Sequence, residues 1–189
     1  MSCAPESPCL PCSRTPWPCL TIATLIRTPG AVGRLGVAGA LAAVVPDSDV
    51  AVHWLGVPWG HPLGHRGLSH SLPFAAVLAA LLAWTVFRGP GWHGRRGGLW
   101  VVLFLGTASH GILDAMTNGG PGVALFAPFD GTRHFLPWGP IPVSPISPRR
   151  FFTQQGLDIM QAEIVLIWLP SAALAIVGAA LRGGRRGRA

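Results

Sequence analysis

Residues 61–87 read HPLGHRGLSHSLPFAAVLAALLAWTVF, a histidine-rich turn followed by a long apolar run. The run from Ser71 to Phe87 has 17 residues and no charge, which is close to the length that an α-helix needs to cross a bilayer. The turn ahead of it contains His65, Arg66 and His70. Ionisable residues are costly to keep at the end of a membrane helix, so this junction predicts a membrane fold and a functional site together.

The composition of the whole chain is typical of a membrane protein. Hydrophobic residues make up 50% of the 189 residues, charged residues only 11%, and the mean hydropathy is +0.46. Three further apolar segments bring the predicted membrane helices to about four: Val32 to Val45, Leu99 to Leu113 and Ile164 to Leu181. The first and third are short unless flanking residues join them, and Pro170 is expected to kink the last. We therefore predict an all-α membrane protein.

The arginines predict the orientation. All 14 basic residues are arginines, and four alternating helices place ten of them on one face. These ten are Arg14, Arg27, Arg34, Arg88, Arg95, Arg96, Arg182, Arg185, Arg186 and Arg188. By the positive-inside rule this face is cytoplasmic, so the C-terminus is predicted to be cytoplasmic. Because these arginines cluster in short stretches beside apolar runs rather than on an aromatic-interleaved face, they indicate topology rather than a nucleic-acid surface, and nucleic acid is not an expected partner.

The sequence predicts a leader, a membrane-embedded domain with a long loop, and a tail. Residues 1–30 contain all four cysteines and many prolines, which predicts a disordered or non-native leader without the second cysteine pair of a zinc site. Residues 31–182 are the predicted membrane-embedded domain, and residues 183–189 are a basic cytoplasmic tail. Ala115 to Ala162 has no run long enough to span and is rich in Pro, Gly and aromatic residues, so we expect a long, ordered extracytoplasmic loop over the outer face.

Clusters of acids and histidines end the apolar segments, and the same threading carries all of them to the outer face. The candidate ligands in these clusters are Asp47, Asp49, His65, His70, His110 and Asp114. Imidazole and carboxylate together, in a region without thiolates, suit a borderline divalent ion, with zinc or manganese ahead of iron. One of Asp47 and Asp49 is the expected ligand, and the sequence does not decide which.

Spacing supports the convergence of these residues but leaves roles open. His110 and Asp114 are four residues apart on one helix face, so both reach one ion or Asp114 orients the imidazole. Glycines in the turn before the second helix bring His65 and His70 towards one point. Arg66 between them either holds an anionic substrate group such as phosphate or pairs with one of the two aspartates that follow the first helix.

These motifs resemble those of the YdjM-type family, LexA-regulated proteins of the bacterial inner membrane described as metal-dependent hydrolases. The resemblance covers roughly residues 32–181. It rests on an ordered set of motifs: Val45 to Asp49, Gly56 to Ser71, Ala108 to Gly120, Phe126 to Phe129, Val143 to Ile146 and Ile167 to Pro170. It implies a multi-pass helical protein with a metal site at the six candidate ligands, Arg66 beside them, and Glu163 at the start of the last helix as a candidate general base.

The amino terminus departs from the family pattern. Family members begin with a helix that carries a Thr-His pair, whereas this chain has no histidine before His53 and the leader takes that place. Three explanations stay open: a ligand is lost, a non-native leader precedes the core, or this branch never used that histidine.

The leading hypothesis is a metal-dependent hydrolase that acts on a lipid or lipid-linked ester or phosphoester at the outer face, with membrane lipids as partners. A bound ion would polarise the substrate oxygen, Arg66 would steady negative charge, and Glu163 or a spare aspartate would accept the proton. The alternative is a non-catalytic metal-binding scaffold or a small transporter. A transporter predicts polar residues along a path through the bilayer, and away from its outer end Ser71 to Phe87 offers only Thr85.

Overall fold

The computed structural model describes residues 31–143 and 153–186, and every regular element in these ranges is a helix. The predicted leader, residues 1–30, lies outside the described residues, and so do residues 187–189 of the predicted tail. Together with the apolar lengths of the helices, the helical architecture confirms the predicted all-α membrane fold.

The described residues form six α-helices joined by shorter helical turns. The helices are α1 Ala31–Val44, α2 Val50–Trp54, α3 Leu72–Thr85, α4 Arg96–Ala115, α5 Gln154–Glu163 and α6 Leu169–Arg186. The shorter turns are 3₁₀ at Val45–Asp49, Leu68–His70 and Pro90–Arg95, and π-helical at Ile164–Trp168.

Three continuous helical stretches of the described chain are long and apolar enough to cross a membrane: Gly33–Trp54, Pro90–Ala115 and Gln154–Gly178. The first and second of these reach that length because 3₁₀ turns join flanking residues to the apolar segments. By contrast, α3 has 14 residues, about 21 Å of helix. It is shorter than its apolar run because Ser71 caps its start, accepting a hydrogen bond from Phe74 N at 3.1 Å, and the helix ends at Thr85. The membrane domain thus combines three long helices with one short one.

Helix α4 is the centre of the packing, with α3 on one side and α1 on another. The buried face of α3 is made of Ala75, Ala79 and Ala83, and small side chains of this kind let two helices approach closely. Trp100 of α4 donates an indole hydrogen bond to the backbone oxygen of Ala76 at 3.0 Å. This hydrogen bond and the alanine face hold α3 and α4 side by side.

The last helix continues through Pro170. Proline in a helix clashes with the carbonyl four residues earlier, which here belongs to Leu166. That residue lies in the π-helical turn Ile164–Trp168, so the helix widens where the sequence predicts a kink. Apolar side chains on its surface, such as Leu174 and Ile176, are largely exposed, as expected of a helix that faces lipid.

The helix α5 corrects the predicted extent of the loop. The sequence predicts a loop from Ala115 to Ala162, but α5 already begins at Gln154. The prediction is wrong there because α5 is too polar to be recognised as an apolar run. A side-chain hydrogen bond along the helix stabilises α5 instead: Gln154 Nε2 donates to Asp158 Oδ1, one turn later, at 3.0 Å. Consequently Glu163 ends α5 and does not open the last helix.

The described part of the loop, residues 116–143, packs back onto the helix ends. Leu136 N donates to the last backbone oxygen of α4, that of Ala115, at 2.8 Å. Leu72 N, in the first turn of α3, donates to Leu125 O at 2.9 Å. Val123 and Ile141 of this segment are buried, so the described part of the loop is packed against the rest of the fold.

A substitution at Gly111 tests the close approach between α4 and the turn before α3. A Cβ there would overlap the backbone oxygen of His70, so Gly111→Ala should destabilise the fold by about 1–3 kcal/mol. Gly98→Ala is the matched control on the same helix, because its Cβ meets nothing within 4 Å and alanine favours helix by up to about 1 kcal/mol. The midpoint of thermal unfolding in detergent should fall for the first variant only. Equal midpoints would contradict this packing.

Candidate metal centre

The predicted ligands come from three separate parts of the fold and meet at one end of the helices. Asp47 and Asp49 lie on the 3₁₀ turn after α1, His70 ends the turn before α3, and His110 and Asp114 lie in the last turns of α4. His65 precedes His70 in the same loop. All six are buried, and none is more than 9% exposed. The convergence expected from four alternating helices is therefore present.

Four of these residues direct a ligand atom to one point. Asp47 Oδ1 lies 3.1 Å from His110 Nε2 and 3.5 Å from His70 Nε2. Asp114 Oδ2 lies 3.3 Å from His70 Nε2 and 3.8 Å from His110 Nε2. The two Nε2 atoms are 3.2 Å apart. The four atoms thus form a compact donor set within 4.8 Å of one another.

These spacings match the donor set of a divalent ion. With metal–ligand bonds of about 2.0–2.2 Å, the donors of a tetrahedral ion are roughly 3.3–3.6 Å apart, and adjacent donors of an octahedral ion roughly 3.0 Å. The measured separations of 3.1 to 3.8 Å fall around both values. Four of the six residues that the family pattern assigns to a metal could therefore hold one together: Asp47, His70, His110 and Asp114.

The electrostatics of the pocket favour a cation. Three aspartates bring three negative charges and Arg66 brings one positive charge, which leaves two negative charges when the histidines are neutral. Burial acts to lower the pKa of His70, but hydrogen bonds to the surrounding carboxylates outweigh it, so that pKa lies well above its ordinary value. The pocket thus recruits positive charge even without an ion.

Asp49 belongs to a second donor set that shares His70. Its Oδ1 atom lies 2.8 Å from His65 Nδ1, and its Oδ2 atom lies 3.0 Å from His70 Nδ1. Ser69 Oγ donates to the same Oδ2 atom. Because His70 turns Nδ1 towards Asp49 and Nε2 towards the other donors, the two sets lie on opposite edges of one imidazole ring.

Arg66 is buried in an unusual backbone conformation. Its φ is +63°, in the left-handed region that side chains other than glycine rarely adopt. From there Nη2 reaches Asp114 Oδ1 at 3.3 Å, and Nη1 donates to Thr117 Oγ1 and to Gly119 O, each at 3.0 Å. The expected carboxylate partner was one of the aspartates after α1, but the backbone turns the side chain towards α4 instead. Asp114 therefore meets Arg66 with one oxygen and the histidines with the other.

The loop that carries Arg66 is tightly wound, as its glycines predict. Gly67 N donates to Gly64 O at 2.9 Å, and Leu68 N donates to Pro62 O at 2.8 Å. A Cβ on Gly67 would overlap the backbone oxygen of Pro62, so the turn has no space for a side chain there. This winding brings His65 next to His70, with ring centroids 5.2 Å apart.

Arg133 is a site-building residue that the sequence pattern does not reveal. Its Nη1 donates to the backbone oxygens of His65, Arg66 and Gly122 at 3.2 to 3.4 Å. Its Nη2 donates to those of Trp59 and His61 at 2.9 and 3.3 Å. The only sequence signal is an isolated arginine in a loop of low charge, which does not identify its acceptors. Arg133 thus joins the loop after α4 to the segment 61–70 before α3, which we call the histidine loop.

Glu163, the predicted general base, is buried where α5 passes into the π-helical turn. Among the described residues, its carboxylate is not part of either converging donor set.

Substitution of Arg133 tests its role in holding the histidine loop. Arg133→Met removes five hydrogen bonds from a charged donor and should cost about 2 kcal/mol or more. Arg133→Lys should recover only part of that loss, because one ammonium cannot replace a planar fork. Arg95→Met, at an exposed position, is the control. The readout is thermal unfolding in detergent, and a similar midpoint for the methionine variants at 133 and 95 would refute this role.

Comparison with known proteins identifies the family. The YdjM inner membrane protein family model matches residues 18–184. The inner membrane protein YbcI of Escherichia coli (strain K12) is 40% identical over 144 residues, which cover 75% of this chain and 80% of YbcI. No solved structure matches the chain. With its membrane-length helices, the chain is a multi-pass inner-membrane protein, and it belongs to the YdjM inner membrane protein family.

Proposed function

We propose that this protein is a membrane-bound, metal-dependent hydrolase that acts on a lipid or lipid-linked ester or phosphoester at the outer face of the inner membrane. The observation that carries the proposal is the convergence of four buried ligand atoms, from Asp47, His70, His110 and Asp114, at the spacing of a metal coordination shell.

The type of donor favours catalysis over a structural role. Structural zinc sites are usually closed by cysteine thiolates, whereas imidazole and carboxylate sets are typical of hydrolytic centres. When bound, a zinc or manganese ion supplies a Lewis acid that polarises a substrate oxygen and lowers the pKa of water. The four residues would hold that ion at the outer end of α4.

Arg66 supplies positive charge beside the donor set. Its guanidinium is fixed by Asp114, Thr117 and the backbone oxygen of Gly119, so it needs no rearrangement as negative charge develops on a substrate. Its fixed positive charge would therefore stabilise the negative charge of a transition state bound at the donor set.

Glu163 is the proposed general base. It is 2% exposed and directly precedes the π-helical turn, a local helix distortion that often marks functional sites. The family pattern and this burial support the role, since a buried carboxylate is a suitable general base once it is within hydrogen-bond reach of the attacking water. Asp158, an exposed acid on the same helix, has no comparable environment.

A lipid substrate is supported by the apolar surface around the site. Phe129, Trp138 and Trp54 are largely exposed, although the first two belong to a loop and not to a spanning helix. Exposed aromatic side chains of this kind favour the headgroup layer of a bilayer. The arginine clusters at the opposite helix ends support placing this layer on the outer face.

Metal content tests the donor set. The detergent-purified wild type should contain about one divalent ion per chain by elemental mass spectrometry, after incubation with zinc or manganese and removal of excess metal. His110→Gln and Asp114→Asn should lose it, because each removes a donor. His61→Gln should retain it, since His61 is exposed and outside the donor sets. Equal metal content in all four proteins would contradict the proposal.

Activity tests the reaction. In vesicles that contain phosphoester and carboxyl-ester lipids, the metal-loaded protein should release headgroup or acyl product, and a chelator should abolish the release. Glu163→Gln should lower kcat by roughly 100-fold or more at unchanged metal content, because a general base contributes about that much. Asp158→Asn is the matched control. Metal binding without hydrolysis of any of these lipids would favour the alternative of a metal-binding scaffold.

A further inference from the structure

Asp47 and Asp49 are two residues apart on one 3₁₀ turn, yet they face different edges of His70. Asp47 Oδ1 faces Nε2 of His70 and Nε2 of His110, the two nitrogens that point at each other. Asp49 faces Nδ1 of His70 and Nδ1 of His65. The two carboxylates therefore have different relations to the converging donor atoms.

The oxygens of Asp49 are already taken by donors of the protein. Oδ1 accepts from His65 Nδ1, and Oδ2 accepts from Ser69 Oγ. His70 Nδ1 lies 3.0 Å from Asp49 Oδ2 and 3.0 Å from Ser69 Oγ, so the carboxylate faces that nitrogen both directly and through the serine hydroxyl. A neutral imidazole that donates through Nδ1 keeps its lone pair on Nε2. For His70 that lone pair is directed at Asp47, His110 and Asp114. Asp49 thus selects the tautomer of His70 that a metal ion needs.

The charge of the pocket indicates one ion. Within the two donor sets, three carboxylates and the Arg66 guanidinium paired to Asp114 leave two negative charges, which one divalent ion neutralises. A second divalent ion between Asp49 and His65 would leave an excess of two positive charges in a buried pocket, which is costly. It would also require His70 to coordinate through both ring nitrogens and to lose the contacts of Nδ1 with Asp49 and Ser69.

We infer that Asp49 is a positioning residue outside the coordination shell, that His65 is likewise not a ligand, and that a single ion is held by Asp47, His70, His110 and Asp114. The inference rests on the proposed metal binding, but not on the proposed hydrolysis. Carboxylates in this outer position fix the ring orientation and the tautomer of a ligating histidine. Asp49 does this for His70 while it joins the histidine loop to the end of α1 through His65 and Ser69.

Titration with Co²⁺ distinguishes positioning residues from ligands. The wild type should bind one Co²⁺ per chain, with a visible absorption spectrum set by its four donors. Asp49→Asn and His65→Gln should still bind one Co²⁺ with a wild-type-like spectrum and an affinity about 10–100-fold weaker, as loss of an orienting partner does. Asp47→Asn and His70→Gln should lose binding or change the spectrum. Ser69→Ala removes one contact of Asp49 and one of His70 Nδ1 but leaves the carboxylate beside the ring, so it should weaken binding less than Asp49→Asn.

The opposite pattern would overturn the inference. Two ions in the wild type and one in Asp49→Asn or His65→Gln would make those residues ligands of a second site. An altered spectrum or lost binding in a folded Asp49→Asn would make Asp49 a ligand of the first site. A folded wild type that binds no Co²⁺, Zn²⁺ or Mn²⁺ would remove the metal site and this inference with it. Because hydrolysis is not measured, an inactive protein with the expected binding pattern leaves the inference standing and refutes only the reaction.

Discussion

Three buried carboxylates at one end of a membrane protein are the constraint on which the rest of the site depends. A buried charge costs several kcal/mol unless it is paired and hydrogen-bonded. Each aspartate meets this demand differently: Asp114 pairs with Arg66, and Asp49 accepts from His65 and Ser69 beside His70 Nδ1. Within the described part of the chain, Asp47 faces the Nε2 atoms of two histidines. The least compensated carboxylate is therefore the one beside the converging donor atoms, where a cation adds the most stability.

The histidine loop shows how the protein maintains a backbone that the chain alone would avoid. Arg66 has a positive φ, and such residues persist only where the surroundings over-determine them. Two sets of contacts hold this residue in place. Arg133 donates to five backbone oxygens of neighbouring segments, and Asp114, Thr117 and Gly119 fix the Arg66 guanidinium. The loop after α4 is thus part of the framework that shapes the site, in addition to covering it.

The membrane helices determine where this framework sits. The alanine face of α3 allows close packing on α4, and near the end of α4 that carries the ligands Gly111 leaves space for the backbone of His70. Because α3 is short and begins only after the histidine loop, His70 reaches the level of the last turns of α4, which carry His110 and Asp114. Close helix packing and the convergence of the ligands are therefore two results of the same contacts.

The sequence by itself determined the helical membrane fold, because apolar length and scarcity of charge depend only on composition along the chain. It also indicated that the aspartates and histidines at the helix ends converge, since alternating helices carry these residues to one face of the membrane domain. The sequence did not predict α5, because this helix is polar and contains no apolar run. Only the tertiary structure decided that Asp47 and Asp49 have different partners, that Arg66 pairs with Asp114, and that Arg133 holds the loop. These depend on backbone directions and on contacts between residues far apart in the chain, and residue type and spacing do not encode either.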